Sequence, residues 1–273
     1  MSHELPRAPV LDPPGAPPRH APYALHLALA GKALAAGLWL GAGQRGAALA
    51  AFFVPDALVL HALFAPAGQG LCRVHTRFAT DRREVWLTID DGPDPEDTPR
   101  LLDLLERHRA RATFFVVGER VARHPELVAA ILRRGHDIGH HTQTHPARSF
   151  WCASPVRLAR ELDAPLDGLA RLGVRPAWFR APVGIKHLLL GRALATRDLT
   201  YVGWTIRSGD SRLRAPDALV ARVAPRIRPG AIVLLHEGPS VPGSLRVAGI
   251  ARLLEELQRR DYACVVPRRE QLR

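Results

Sequence analysis

Lysine is almost missing from this chain. Lys32 and Lys186 are the only two in 273 residues, although the net charge is +12. The positive charge is therefore nearly all arginine, in a sequence rich in Ala, Leu, Gly and Pro. That pattern reads as a coding bias rather than a selected binding patch. The arginines are scattered along amphipathic stretches, where a solvated face is the default. Aromatic residues are scarce at 6%, and no basic stripe with interleaved aromatics occurs. Nucleic-acid binding, which the charge alone would suggest, is set aside on that ground. Cysteine is scarce too. Cys72, Cys152 and Cys264 lie far apart with no metal-site spacing, so no disulfide framework is implied and the redox compartment stays open. No internal repeat is evident. What is present is ample core: 47% hydrophobic content fits one large domain plus an appendage.

The appendage comes first. Residues 1–22 are rich in Pro and poor in large apolar residues, and are expected to be a disordered lead. Two apolar stretches follow, from about Ala24 to Ala42 and from about Ala47 to Ala67, with Gly41, Gly43 and Gly46 between them. Each approaches the ~20 residues that span a bilayer. Each carries blemishes: His26 and Lys32 in the first, Pro55, Asp56 and His61 in the second. A signal peptide is not the reading, because the apolar region would begin late and no clean break leads into a mature domain. The expectation is a helical hairpin over residues 23–70, membrane-embedded; a hairpin packed on a soluble domain is the alternative. Lys32 and Asp56 each lie about twelve residues from the turn, or about 18 Å along a helix. In an antiparallel hairpin they would meet at one depth. Arg7 and Arg19 precede the hairpin, and Arg73, Arg77, Arg82 and Arg83 follow it, against Arg45 alone in the turn. The positive-inside rule then favours both ends on the cytoplasmic face of a bacterial inner membrane, with a single span and a translocated domain as the alternative.

From Arg83 the chain alternates strand-like and helix-like segments over residues 83–268. Strands are expected at Val85–Ile89, Ala112–Val117, Asp137–His140, Ala177–Arg180, Thr200–Thr205, Ala231–Leu235 and Tyr262–Val266. Helices are expected at Thr98–Arg109, Glu119–Arg134, Ser154–Leu172, Lys186–Thr196, Pro216–Ile227 and Leu245–Arg260. Such alternation argues for an α/β fold with a parallel sheet and outer helices. About seven units could close into a barrel, with reactive residues at the C-terminal strand ends. Polar clusters stand at those ends.

The central stretch is Thr88-Ile89-Asp90-Asp91-Gly92-Pro93. An apolar run ends in adjacent carboxylates, and Gly-Pro then turns the chain. Alternation points the two carboxylates in different directions, so one can serve a metal and the other a proton. A solvated Asp-Asp-Gly-Pro turn is the plain alternative. After the third strand, His141 and His145 stand four apart, which on a helical turn puts both imidazoles on one face. With Asp91 they form a three-ligand site with positions left open. His140 points away and reads as a support. Arg180 could hold Asp90 by a charge-assisted pair, and the N–H of Val183, framed by Pro182 and Gly184, could face an oxyanion. His236 ends an apolar strand. Paired with Asp210 its pKa would rise, and it could act as a general acid.

These stretches, in this order, resemble the NodB-homology polysaccharide deacetylases, also called carbohydrate esterase family four. The resemblance covers roughly Glu84 to Pro267. Thr88–Pro93 is similar to the first family motif, His141–Pro146 to the second, Arg180–Gly184 to the third and Leu234–His236 to the fifth. It implies a distorted (β/α)7 barrel and a divalent metal, usually zinc, on Asp91, His141 and His145. It also implies Asp90 as base, Arg180 as its tuner and His236 as acid. Val183 stands where an aromatic residue is usual, Arg207 where Asp is common and Ser211 where Trp is common. A long-polymer substrate is therefore not assumed. The implied reaction is removal of an N-acyl group, N-acetyl above all, from an amino sugar in a polysaccharide, an oligosaccharide or a lipid-linked glycan. Two rivals stand beside it. An iron oxygenase of the two-His-one-carboxylate type would leave Asp90 and His236 idle. A membrane-tethered carbohydrate-binding protein on an inactive scaffold would not need base, tuner and acid together.

Overall fold

The computed structural model describes residues 22–41 and 43–273. The expected disordered lead lies outside them, apart from Pro22. Two helices, α1 (Tyr23–Leu40) and α2 (Arg45–Phe64), come first. Eight strands follow: β1 (Glu84–Gly92), β2 (Ala112–Val116), β3 (Asp137–His140), β4 (Trp178–Phe179), β5 (Thr200–Tyr201), β6 (Ile206–Arg207), β7 (Ala231–His236) and β8 (Ala263–Cys264). They alternate with α3 (Asp97–Arg107), α4 (Gly118–Arg123), α5 (Pro125–Arg133), α6 (Pro155–Arg171), α7 (Leu190–Ala195), α8 (Pro216–Val223) and α9 (Gly243–Arg259).

Strand β1 shows why the sheet has two unlike faces. Val85, Leu87 and Ile89 join the large core that also takes Leu101 and Leu105 of α3, Val128 and Ile131 of α5 and Leu253 and Leu257 of α9. Trp86 points the other way, into a smaller cluster with Phe115, Trp178, Val202 and Ile232. Period-two alternation therefore sends Trp86, Thr88 and Asp90 to the concave side. The strand order is β5-β4-β3-β2-β1-β7-β6, with β8 also on β1, and these strands all pair in parallel. Their register sets polar strand ends side by side: Asp90 lies opposite Phe115 of β2 and His236 of β7.

The expected closed barrel is a half-barrel. Of the expected strand Thr200–Thr205 only Thr200–Tyr201 forms, as β5; β6 begins just past its expected end, and the hydrogen-bonded path is open between the two. Residues 75–78 fill the opening. The His75 N–H donates to the Tyr201 carbonyl at 3.1 Å, the Gly203 N–H to His75 at 2.8 Å and the Phe78 N–H to Gly230 at 3.0 Å. The first two occupy backbone groups at and just past the end of β5 that a neighbouring strand would have used. The expected helix Glu119–Arg134 is broken at His124, because Pro125 brings no N–H and restricts the residue before it. The expected helix Lys186–Thr196 begins only at Leu190. Its first residues are tied to the hairpin instead: the Lys186 N–H donates to Leu63 O at 2.9 Å.

The hairpin packs by small residues. Ala24, Ala28 and Ala35 are the buried positions of α1, and Gly31 falls on the same face. A Cβ at Gly31 would lie 2.5 Å from the Ala51 carbonyl, so the helices can approach this closely only with glycine there. Ala51 is also the carbonyl that Pro55, lacking an N–H, leaves without its helical donor. Lys32 Nζ donates to Asp56 Oδ1 at 2.6 Å and sits 4.7 Å from the Phe52 ring centroid. Large apolar side chains face outward: Leu29 is 68% exposed, Leu40 84%, Phe53 60% and Val54 63%. This inverts the pattern of a helix packed in water, with the small residues inside and the large ones out.

Candidate active site

Asp90 ends the concave face of β1 and is buried. Arg180, one residue past β4, is fully buried and reaches it. Its Nη1 donates to Asp90 Oδ1 at 2.6 Å and to Thr88 Oγ1 at 2.8 Å. Its Nε and Nη2 donate to the Val202 and Gly203 carbonyls at 3.0 and 2.8 Å. The Phe115 ring lies 4.2 Å from the guanidinium carbon. The cation is thus bonded in its plane and covered on a face, which holds it in one place.

Asp91 departs from the strand. Its φ is 72° and the β1–β2 register shifts between Asp90 and Gly92. The bulge turns Asp91 away from Asp90 and towards the histidine loop. Its Oδ1 lies 3.4 Å from His141 Nε2 and 3.2 Å from His145 Nε2. The two imidazoles are not on a helical turn, as the spacing suggests. They sit on a loop in which Thr142 and His145 have φ of 66° and 52°. Side chains supply the acceptors that a helix would have provided. His140 Nδ1 takes the Thr142 N–H at 3.0 Å, and Thr142 Oγ1 takes the His145 N–H at 3.1 Å. Glu161 of α6 accepts from the Gln143 and Thr144 N–H groups at 3.0 and 2.9 Å and from the Thr144 hydroxyl at 2.7 Å. His140 itself turns away, with Nε2 donating to Leu162 O at 2.8 Å.

The donor chemistry fits a divalent cation. One donor atom from each of Asp91, His141 and His145 lies within 4.8 Å of the others. His141 Nδ1 is 2.8 Å from the Arg180 carbonyl, so that nitrogen carries a proton and Nε2 is the one turned to the donor cluster. Burial, then the charge of His141, pull His145 down to about 4, so its ring is neutral at pH 7. Burial raises the Asp91 carboxyl, but the His141 hydrogen bond and the charges of His141, His145 and His236 more than reverse this and hold it below the usual carboxylate range.

His236 ends β7 beside Asp90. Asp210 clamps it twice, accepting from the His236 N–H at 2.7 Å and facing Nδ1 at 2.7 Å. The Ser208 hydroxyl donates to Asp210 Oδ1 at 2.8 Å. Burial lowers the imidazole, and the Asp210 hydrogen bond and charge, aided by Asp90 and Asp91, outweigh it and leave it raised. Val183 has φ of 51°, an uncommon conformation for a β-branched residue. The bonds that close its turn come from Gly184 and Ile185, at 3.0 and 3.1 Å. Arg207, at the altered fourth motif, is exposed.

Glu237 was not expected at the site. It is fully buried behind the Asp-Asp-Gly-Pro turn. Its N–H donates to the Asp90 carbonyl at 3.0 Å, and its Oε2 accepts from the Thr98 hydroxyl. A Cβ at position 92 would lie 1.6 Å from Glu237 Oε1, so only glycine fits while Glu237 keeps this position. Burial, with Asp94 and Asp97 nearby, pushes this carboxyl up to about 8. Asp97 pairs with the buried Arg246 next to it. The sequence signals Glu237 only by its place after His236, which says nothing of Gly92.

An open parallel sheet, with carboxylates, imidazoles and a buried guanidinium gathered at its C-terminal strand ends, has the arrangement of a β/α-class enzyme. A family model described as polysaccharide deacetylase matches residues 78–202. Over 193 residues the chain is 37% identical to a chitooligosaccharide deacetylase of Bradyrhizobium sp. (strain ANU 289), covering 66% of this chain and 87% of that one. It is 35% identical over 186 residues to a peptidoglycan-N-acetylglucosamine deacetylase of Bacillus cereus, covering 66% and 84%. A family 4 carbohydrate esterase from Streptomyces lividans, solved with acetate, superimposes with a TM-score of 0.63 at 28% identity, covering 70% of this chain and 96% of that one. The chain belongs to the polysaccharide deacetylase family, carbohydrate esterase family four, and so to the hydrolases that act on carbon–nitrogen bonds other than peptide bonds.

Proposed function

We propose that residues 83–268 form a catalytic domain that removes an N-acetyl group from an amino sugar. The observation that carries this is the juxtaposition of Asp90 and His236 on adjacent strands, beside the three-donor cluster of Asp91, His141 and His145. Those three residues would hold a divalent metal, and two imidazoles with one carboxylate suit zinc. When bound, the metal supplies Lewis acidity to the acyl oxygen and acidity to water. Asp90, oriented by Arg180, accepts the proton of the attacking water. The Val183 N–H faces the oxyanion that forms. His236 is fixed through Nδ1 by Asp210, which leaves Nε2 to protonate the departing nitrogen. The carbon–nitrogen bond breaks, a carbon–oxygen bond replaces it, and the products are acetate and a free amino sugar.

Release of acetate and amine from N-acetylglucosamine oligosaccharides tests this reading, and its pH profile tests the acid. His236 acts in its protonated form, and its pKa is raised. Activity therefore falls as the pH rises through that value. Asp210→Asn removes the charge that raises it, so the alkaline limb is expected to move to lower pH. An unmoved limb in an active variant would remove His236 and Asp210 from this role.

We further propose that residues 23–70 span the membrane as a hairpin with the catalytic domain on the cytoplasmic side. Both helices are long and apolar enough to cross, and their large side chains face outward. Alone, Lys32 or Asp56 would cost roughly 2.5–3.5 kcal/mol at a bilayer centre. Their contact offsets part of that. Asp56→Lys is expected to impair insertion, and Lys32→Asp in the same chain to restore it, measured by membrane fractionation. No restoration would argue against the pair. Digestion of the catalytic domain by protease added outside spheroplasts would overturn the placement.

A further inference from the structure

The oxyanion loop and the hairpin are joined at one point. Lys186, three residues past Val183, is buried, and its Nζ donates to the Ala65 and Pro66 carbonyls at 2.6 and 3.2 Å. Its backbone N–H donates to Leu63 O at 2.9 Å. The end of α2 is therefore fixed against the loop that carries Val183.

An apolar ledge surrounds this joint. The Phe64 ring at the end of α2 lies 5.6 Å from that of Trp151, edge to face. His187 Nε2 is 2.9 Å from Ala153 O, which ties the Trp151 loop to the next segment. Leu188 and Leu189 follow there, both exposed, as are Trp151 and Phe64. No acidic residue occurs in residues 145–160 or 183–197. Their arginines include Arg148, Arg160 and Arg192, all exposed. Aromatic and aliphatic side chains with a basic rim, continuous with an apolar hairpin, match the headgroup layer of an anionic bilayer.

We propose that this ledge lies in the headgroup layer and that the substrate is an amino sugar carried on a lipid anchor. The proposal rests on both the deacetylase reading and the hairpin. Lys186 fixes the height of the Val183 loop relative to the end of α2. A sugar held at the membrane surface would arrive at that height, whereas a free oligosaccharide would gain nothing from it.

The full chain is reconstituted in vesicles of zwitterionic and anionic phospholipid with brominated acyl chains. Of the five tryptophans, Trp86 and Trp178 are buried; quenching in the wild type reports Trp39 and Trp151 together, and a Trp39→Phe variant reports Trp151. Quenching is expected in both, and Trp151→Phe in the second background should abolish what remains. In unbrominated vesicles, a polyisoprenyl-linked N-acetylglucosamine is compared with a soluble chitooligosaccharide. Confinement to one surface should raise kcat/KM for the lipid-linked form by about 10²-fold. Leu188→Asp with Leu189→Asp should remove most of that advantage and leave hydrolysis of the soluble sugar unchanged. Equal kcat/KM for the two sugars, or equal loss on both in the double variant, overturns the proposal while the deacetylase stands. Quenched Trp39 with unquenched Trp151 overturns the ledge while the hairpin stands. Hydrolysis of neither sugar overturns the deacetylase reading and the lipid-linked substrate with it.

Discussion

Asp90→Asn is expected to lower turnover by about 10²–10⁴-fold while the protein keeps its divalent ion. The reason is the division of labour between neighbouring carboxylates. Asp90 is on the concave face of β1 and bonded to Arg180; Asp91 is on the bulge and faces both imidazoles. Asparagine keeps an oxygen for Arg180 Nη1 but cannot accept a proton from water. Complete truncation would be a poorer test, because a buried guanidinium left without its partner costs about 3–5 kcal/mol. Asp91→Asn should do the reverse and weaken the ion first. Acetate release and elemental analysis on the same samples separate the two. If Asp90→Asn loses the ion and Asp91→Asn keeps it, the two roles are exchanged.

The other large effect concerns His141. His141→Ala is expected to weaken divalent-ion binding by more than about 10²-fold, since loss of even an outer-shell partner costs about 10–100-fold. The imidazole is held by the Arg180 carbonyl at 2.8 Å and is buried, so no neighbouring donor can replace it. Activity should fall with ion content and return in part at high concentrations of added Zn²⁺. One full equivalent of ion in the variant after dialysis would show that the ligand set is wrong. The His145 side chain is more exposed than that of His141, and water can take its place, so His145→Ala should be the milder of the two.

Much of this arrangement is legible in the sequence, for reasons that differ from residue to residue. The apolar run Val85–Ile89 gives the strand, and the alternation of side chains along any strand gives it two faces. The Lys32–Asp56 contact follows from counting helical rise on both sides of a glycine turn. Asp90, Arg180 and His236 stand at strand ends, where the β/α architecture gathers polar groups. Other features leave no periodic trace. The His141–His145 spacing is that of a helix, yet Thr142, His140 and Glu161 hold a loop with two left-handed residues. Glu161 is a helix residue whose partners lie 17 and 18 positions earlier. Glu237 and Gly92 are distant in sequence and meet only because β1 and β7 are neighbours. The opening between β5 and β6 depends on a segment that precedes the whole sheet. Long-range partnering of single side chains has no local signature, and these are its products.

The pairing of Asp90 with His236 across β1 and β7 has an evolutionary consequence. The proposed base and acid stand on adjoining strands, so the separation of those positions follows from the spacing of a β-ladder, about 4.8 Å. It does not depend on the connections that leave those strands. Insertions, deletions and substitutions in the connecting loops can therefore reshape which glycan enters without detuning proton transfer. A slip of one residue between the two strands, by contrast, would turn one of the pair to the opposite face and abolish the chemistry at a stroke. Drift is free at the rim and forbidden in the register, and new specificities in such a scaffold should arise from loop exchange.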